Sequence, residues 1–209
     1  MKHLLASLLF FIALTYLGAG AVANDLHPGE ILTPSGLKIN LPTGWAVRSQ
    51  GQNRQTPQAW FASIILTNSP TSHGQALAQT VLTEEPSTVF DFYDMLELPE
   101  DDLQIAIDYL AANFWAAFSD IYSRNTKGYL APQPGARLIR HNQTAAILTL
   151  ATERLNDLDL LNEVYIIIGP EWTLRLHARI PQVDGFQAIS ANTRQLLEAV
   201  LAGWEKSGL

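Results

Sequence analysis

The stretch Trp172–Ile180, Trp-Thr-Leu-Arg-Leu-His-Ala-Arg-Ile, constrains the fold of this chain more than any other. Trp172, Leu174, Leu176, Ala178 and Ile180 alternate with Thr173, Arg175, His177 and Arg179. A period of two, with one apolar and one cationic set, describes a strand buried on one face and solvated on the other. This reading makes Arg175 and Arg179 solvent-facing. The apolar run Val164–Ile168 precedes the strand across Gly169-Pro170-Glu171, which reads as the turn of a hairpin. Pro181 ends the strand, and Asp184–Trp204 reads as a helix laid on its apolar face.

The N-terminus reads as an address. Met1-Lys2-His3 supplies a positive start, Leu4–Leu17 an apolar core, and Ala21-Val22-Ala23 small residues at a cleavage point. This is the order of a secretory signal peptide. The run is short for an anchor, since spanning helices need about 20 apolar residues. Residues 1–23 are therefore expected to be a signal peptide, and 24–209 one soluble α+β domain in the periplasm or outside the cell. The chain has no cysteine. That excludes a thiol nucleophile, thiolate metal sites and a lipidated cysteine, and a domain of this size has core enough to fold without disulfides. Without Lys2 the chain carries 12 basic and 20 acidic residues, a net charge of −8. Such a balance argues against general binding to nucleic acid or to anionic membrane.

Along the chain, Glu30–Thr33, Pro34-Ser35-Gly36 and Leu37–Leu41 read as strand, turn and strand. Another strand starts at Trp45–Val47, and Ser49–Pro57 reads as a polar loop. Ala59–Thr67 is apolar on both alternating sets, which suits a strand covered on both sides. Gln75–Leu82 and the stretch from Ser87 to Met95 read as short helices. Pro99 opens a long one, in which Leu103, Ile107, Leu110, Ala111, Phe114, Phe118 and Ile121 recur at helical spacing. Asn125–Gly135 reads as a loop, and Arg137–Arg140 and Ala145–Thr152 as two strands.

Charge is unevenly placed. Glu84–Asp120 holds ten acids and no Lys or Arg, whereas Ile121–Ile180 holds seven basic residues and five acidic ones.

Candidate chemistry is sparse. Glu100-Asp101-Asp102 and Asp157-x-Asp159 lack the ligand number and ordered glycine of a calcium loop, and read as a helix start and a solvated loop. His141 and His177 sit on strands that could be neighbours, though no metal-binding histidine motif is present. There is no nucleophile motif and no phosphate-binding loop. Catalytic residues, metal and cofactor are all expected to be none. What remains is a cationic strip: Arg175, His177 and Arg179, with Arg137 or Arg140 adjacent on the same sheet. It could dock an acidic partner or a carboxylate or phosphate ligand, the expected partner being another exported or membrane-associated protein, and its alternative is a solvated face paired with Glu153, Glu163 and Glu171.

Gly36-Leu37-Lys38-Ile39-Asn40-Leu41-Pro42-Thr43-Gly44-Trp45 resembles the opening of Mog1/PsbP-like domains, where an early strand ends in Pro-x-Gly-Trp or Pro-x-x-Trp. The order that follows is similar too: strand, helical insert, antiparallel meander and C-terminal helix. The resemblance implies an αβα sandwich with an antiparallel sheet. It also implies a non-enzymatic accessory or binding role, as PsbP-type members assist photosystem II and Mog1 binds a small GTPase. No family site transfers by residue. A helix-grip carrier of an apolar ligand, held between sheet and C-terminal helix, is the alternative architecture.

Overall fold

The computed structural model describes residues 27–52, 59–67, 79–86, 95–125, 128–141, 144–155, 157–169, 171–182 and 186–207. The signal-peptide reading of residues 1–23 lies outside these, as does most of the short helix expected from Ser87 to Met95. Among the described residues, no helix is long and apolar enough to cross a membrane.

The strands in chain order are β1 (His27–Pro28), β2 (Glu30–Leu32), β3 (Lys38–Asn40), β4 (Trp45–Gln52), β5 (Trp60–Leu66) and β6 (Gln79–Pro86). After helix α1 (Glu100–Asn125) come β7 (Tyr129–Pro132), β8 (Arg137–His141), β9 (Thr144–Leu155), β10 (Leu158–Ile168) and β11 (Trp172–Pro181), and helix α2 (Phe186–Ser207) follows. Nine strands form one sheet in the order β1-β4-β5-β6-β11-β10-β9-β7, with β8 also pairing β9. Every pairing is antiparallel. β2 and β3 make a separate two-stranded ribbon.

The strand Trp172–Ile180 lies at the centre of this sheet, between β6 and β10. Its apolar set meets α2: Leu174 and Leu176 share a core with Leu196, Leu197, Val200, Leu201 and Trp204. Closer to the start of α2, Ala178 and Ile180 pack with Ile189. The other face is not open to water. α1 covers it with Phe114, Trp115, Phe118 and Tyr122, all buried, against Ile147, Ala151, Val164, Ile166 and Ile168. The molecule is thus an αβα sandwich around an antiparallel sheet.

The ribbon β2–β3 packs along one side of α2. Ile31, Leu37 and Ile39 are fully buried in the α2 core. The approach is close at Gly203, where an added Cβ would stand 2.5 Å from the Lys38 carbonyl oxygen. The Pro42–Trp45 motif makes the turn from this ribbon into the main sheet. Trp45 N donates to the Pro42 carbonyl at 3.1 Å. Gly44 takes φ 91°, a conformation that costs a residue with a Cβ much more than glycine. The turn places Trp45 in the α2 core.

Four local expectations change. Residues 79–82 are not the end of a helix; they begin β6, which fills the gap between β5 and β11. Thr80, Val81 and Thr83 are β-branched, and such side chains pack well on a pleated surface. β4 continues through Ser49–Gln52, which was expected to be loop, because β5 offers a full ladder there beyond a register shift at Val47/Ser49. β7 forms inside the expected loop 125–135 by pairing with the end of β9. β5 is fully covered on one side only: Trp60, Ala62, Ile64 and Leu66 are buried, while Phe61, Ser63 and Ile65 are half-buried.

Candidate functional site

The polar set of β11 lies under α1. Arg175 and His177 are 6% exposed, and the Arg179 side chain is 16% exposed. The expectation that this strip faces solvent is corrected. Alternation separates the two sets of side chains, but α1 supplies a lid for the second set.

Burial on that scale requires each polar group to find a partner. Arg175 pairs with Glu85, its neighbour on β6, and its guanidinium stands 5.6 Å from the centre of the Phe114 ring. Burial pushes the Glu85 carboxyl above its ordinary value, against the pull of Arg175. Arg179 reaches across β10 to Glu153 on β9, with Nε donating to Oε2 at 3.0 Å and Nη2 to Oε1. Glu153 also accepts from Tyr122 of α1 and from Asn162 of β10, each at 3.0 Å. Asn162 Oδ1 lies 2.8 Å from His177 Nε2. Because the Asn162 amide donates to Glu153, its oxygen must accept, so His177 carries its proton on Nε2. Burial, then Arg179, then Arg175 push the His177 imidazole down to about 3. His177 is therefore neutral, and the edge-to-face contact with Phe118 at 5.3 Å seals it. Trp115 closes the same layer by donating to Thr149 at 2.7 Å.

This network joins three strands to α1. Its carboxylate accepts four hydrogen bonds from Tyr122, Asn162 and Arg179. Its imidazole is packed against a ring. The arrangement holds α1 to the sheet.

The other two members of the expected strip lie elsewhere. Arg137 and Arg140 are exposed on β8, at the far side of β9 from β11. Three residues apart on a strand, they point to opposite faces. The strip is thus one buried arginine, one partly buried arginine and two separated surface ones. His141 and His177 are also apart: His141 lies 3.7 Å from Glu205 of α2, whereas His177 is on the α1 side. Among the described residues no group of three His, Asp or Glu is placed to hold a metal ion.

The exposed side of α1 is unusual in the opposite sense. Ile105 is 68% exposed and Tyr109 61%, one helical turn apart. Ala112 and Ala116 continue the line, both exposed. Asp101, Asp102 and Asp120 are exposed beside it. Asp108 is half-buried, with Oδ1 accepting from Ala136 N at 2.9 Å. Sequence reading, drawn to the buried stripe, passes over Ile105 and Tyr109. Their signal is available all the same: two large apolar residues four apart, off the stripe that faces the core.

No protein-family model and no curated protein matches the chain. Solved structures do. Cyanobacterial PsbP (CyanoP) from Synechocystis sp. PCC 6803 aligns with TM-score 0.53 and 7% identity, over 88% of this chain and 96% of that one. The fold is Mog1/PsbP-like. At that identity the Mog1/PsbP-like architecture is what the two chains share. A Bacteroides thetaiotaomicron VPI-5482 crystal structure aligns over 75% of this chain with TM-score 0.40 and 6% identity, and the chain spans 42% of its length. LpqN, described as involved in cell envelope biogenesis of Mycobacterium tuberculosis, aligns with TM-score 0.37 and 11% identity, over 84% of this chain and 86% of that one.

Proposed function

We propose that the protein is an exported, non-enzymatic accessory protein that acts by docking to a partner protein through the outer face of α1. The observation that carries this reading is the pair Ile105 and Tyr109, 68% and 61% exposed on a helix whose opposite face is core. Large apolar side chains grouped on a surface and rimmed by polar residues are a mark of interaction sites. The side chains best suited to acid–base chemistry, Glu153 and His177, are buried and both hydrogen-bonded to Asn162, which supports a structural task for them. A carrier would hold its ligand between α2 and the sheet. Leu196, Leu197, Val200, Leu201 and Trp204 occupy that interface at 0–3% exposure, which favours docking over carriage. Export rests on the order of features in Met1–Ala23.

The test is affinity capture from the native exported fraction, with wild type and an Ile105→Asp/Tyr109→Asp variant as bait. A partner retained by wild type and lost by the variant, at unchanged melting temperature, is the expected result. Identical capture by both would remove α1 as the docking face. Mature protein beginning at Asn24 is expected on N-terminal sequencing, and full-length chain confined to membranes would overturn export.

A further inference from the structure

We infer that the partner docks on α1 with a basic amphipathic helix, its apolar seam along Ile105, Tyr109, Ala112 and Ala116 and its Lys or Arg residues on both flanks. This rests on the docking reading and names the chemistry of the occupant.

Spacing is the first argument. Ile105, Tyr109, Ala112 and Ala116 are separated by four, three and four residues. That is the interval of a seam at which two helices meet, and apolar residues in this repeat keep one line facing a partner helix. The same helix already uses its opposite side for the sheet, where Phe114, Phe118 and Tyr122 are buried. One stripe is therefore committed to the core, and a second, at heptad spacing, is presented outward. Along the axis this second stripe is about 17 Å long, three helical turns. Large side chains occupy its first half and alanines its second, and small residues let another helix come near at about 8–10 Å between axes.

Charge is the second argument. Successive residues of a helix step about 100° around its axis. Asp101 then falls on one flank of the seam, with the half-buried Asp108 beyond it, and Asp102 falls on the other. In paired helices these flanking places set partner choice by opposite charge. Between Glu84 and Asp120 the chain has ten acids and no Lys or Arg. A second copy of the chain would bring carboxylates against carboxylates, which disfavours self-association on this face. A basic helix is complementary on both counts.

The test uses the mature chain and three synthetic 28-residue peptides, followed by fluorescence anisotropy. The first has Leu at both seam positions and Lys at the flanking positions, the second has Glu at the flanks, and the third scrambles the first. The Leu/Lys peptide is expected to bind, with the other two at least tenfold weaker. Ile105→Asp/Tyr109→Asp is expected to weaken the Leu/Lys peptide at least tenfold, and Asp101→Asn/Asp102→Asn to weaken it and reduce its salt dependence. Raising salt from 0.1 to 1 M shortens screening from about 10 to about 3 Å and should weaken wild-type binding. Equal binding of the ordered and scrambled Lys peptides, untouched by the Ile105/Tyr109 variant, would overturn the inference in favour of unspecific charge attraction. Failure of all three peptides, while native capture still depends on Ile105 and Tyr109, would overturn the basic helix and leave α1 docking standing. Failure of both assays would remove both.

Discussion

Arg179 of β11 spans the intervening strand β10 to hold both carboxylate oxygens of Glu153 on β9, whose side chain is 0% exposed. Removing one partner from a buried pair leaves an uncompensated charge, which costs about 3–5 kcal/mol. Arg179→Ala is therefore expected to destabilise the protein by that order in urea unfolding. Glu153→Leu should do the same, and it also strands Tyr122 and Asn162. Glu153→Leu with Arg179→Met removes both charges and should lose less than the two single variants summed. A simple sum would mean that the pair is not coupled. Arg175→Ala, neutral on the solvent-facing reading, should likewise lower stability, because it leaves Glu85 without its guanidinium.

Stability should fall in acid through His177. Its usual value is near 6.5, and burial beside Arg179 and Arg175 lowers it to about 3 in the folded state. Between those values the unfolded chain binds a proton that the folded chain refuses, so stability rises with pH across this window. Glu85 acts with the opposite sign: its raised folded value favours the folded state at low pH, and that contribution is lost as pH rises. The clean measurement is the difference between wild type and His177→Gln. That difference should change from pH 6.5 downward and level off near pH 3. A difference independent of pH would mean that the imidazole titrates as it does in water.

Gly203→Ala sets helix propensity against packing. Alanine is favoured over glycine inside a helix by about 1 kcal/mol. The added methyl would meet the Lys38 carbonyl oxygen at 2.5 Å, and this is backbone, with no flexible end to turn aside. Overpacking of this kind costs about 1–3 kcal/mol, so the net change should be destabilising. A raised melting temperature would show that the β2–β3 ribbon shifts freely.

Leu176→Ala and Ile105→Asp should separate core from surface. Leu176 is 0% exposed at the centre of the sheet, and its truncation should cost about 2–5 kcal/mol. Ile105, at 68% exposure, should change stability within about 0.5 kcal/mol, while its loss is read out in partner capture. Equal losses in thermal unfolding would place Ile105 in the core.

Much of this fold could be read from local pattern. The alternation in Trp172–Ile180, the run Val164–Ile168 and the turn between them specify the central hairpin, because side-chain direction in a strand depends on the backbone alone. Both long helices follow from apolar repeats at 3.6 spacing, and the Pro42–Trp45 turn from residues suited to it. β6 was misread because Gln79–Leu82 has no strong period of its own; its state is decided by two neighbours that leave a strand-wide gap between them.

The fate of Arg175, His177 and Arg179 was decided only in three dimensions. A period of two says that they share a face, and composition says that the face is polar. Neither says what lies over it. The lid is α1, which ends at Asn125, well before β11 begins at Trp172, and it can cover a cationic face because that face carries its own counter-charges. Glu85 and Glu153 arrive from β6 and β9, strands paired with or one strand removed from β11. Tyr122 of α1 and Asn162 of β10 complete the Glu153 carboxylate. Sequence determines which side chains are polar and which way they point. Whether a polar side chain meets water or a carboxylate depends on segments brought together from across the chain, since a buried charge is tolerated only where such partners converge.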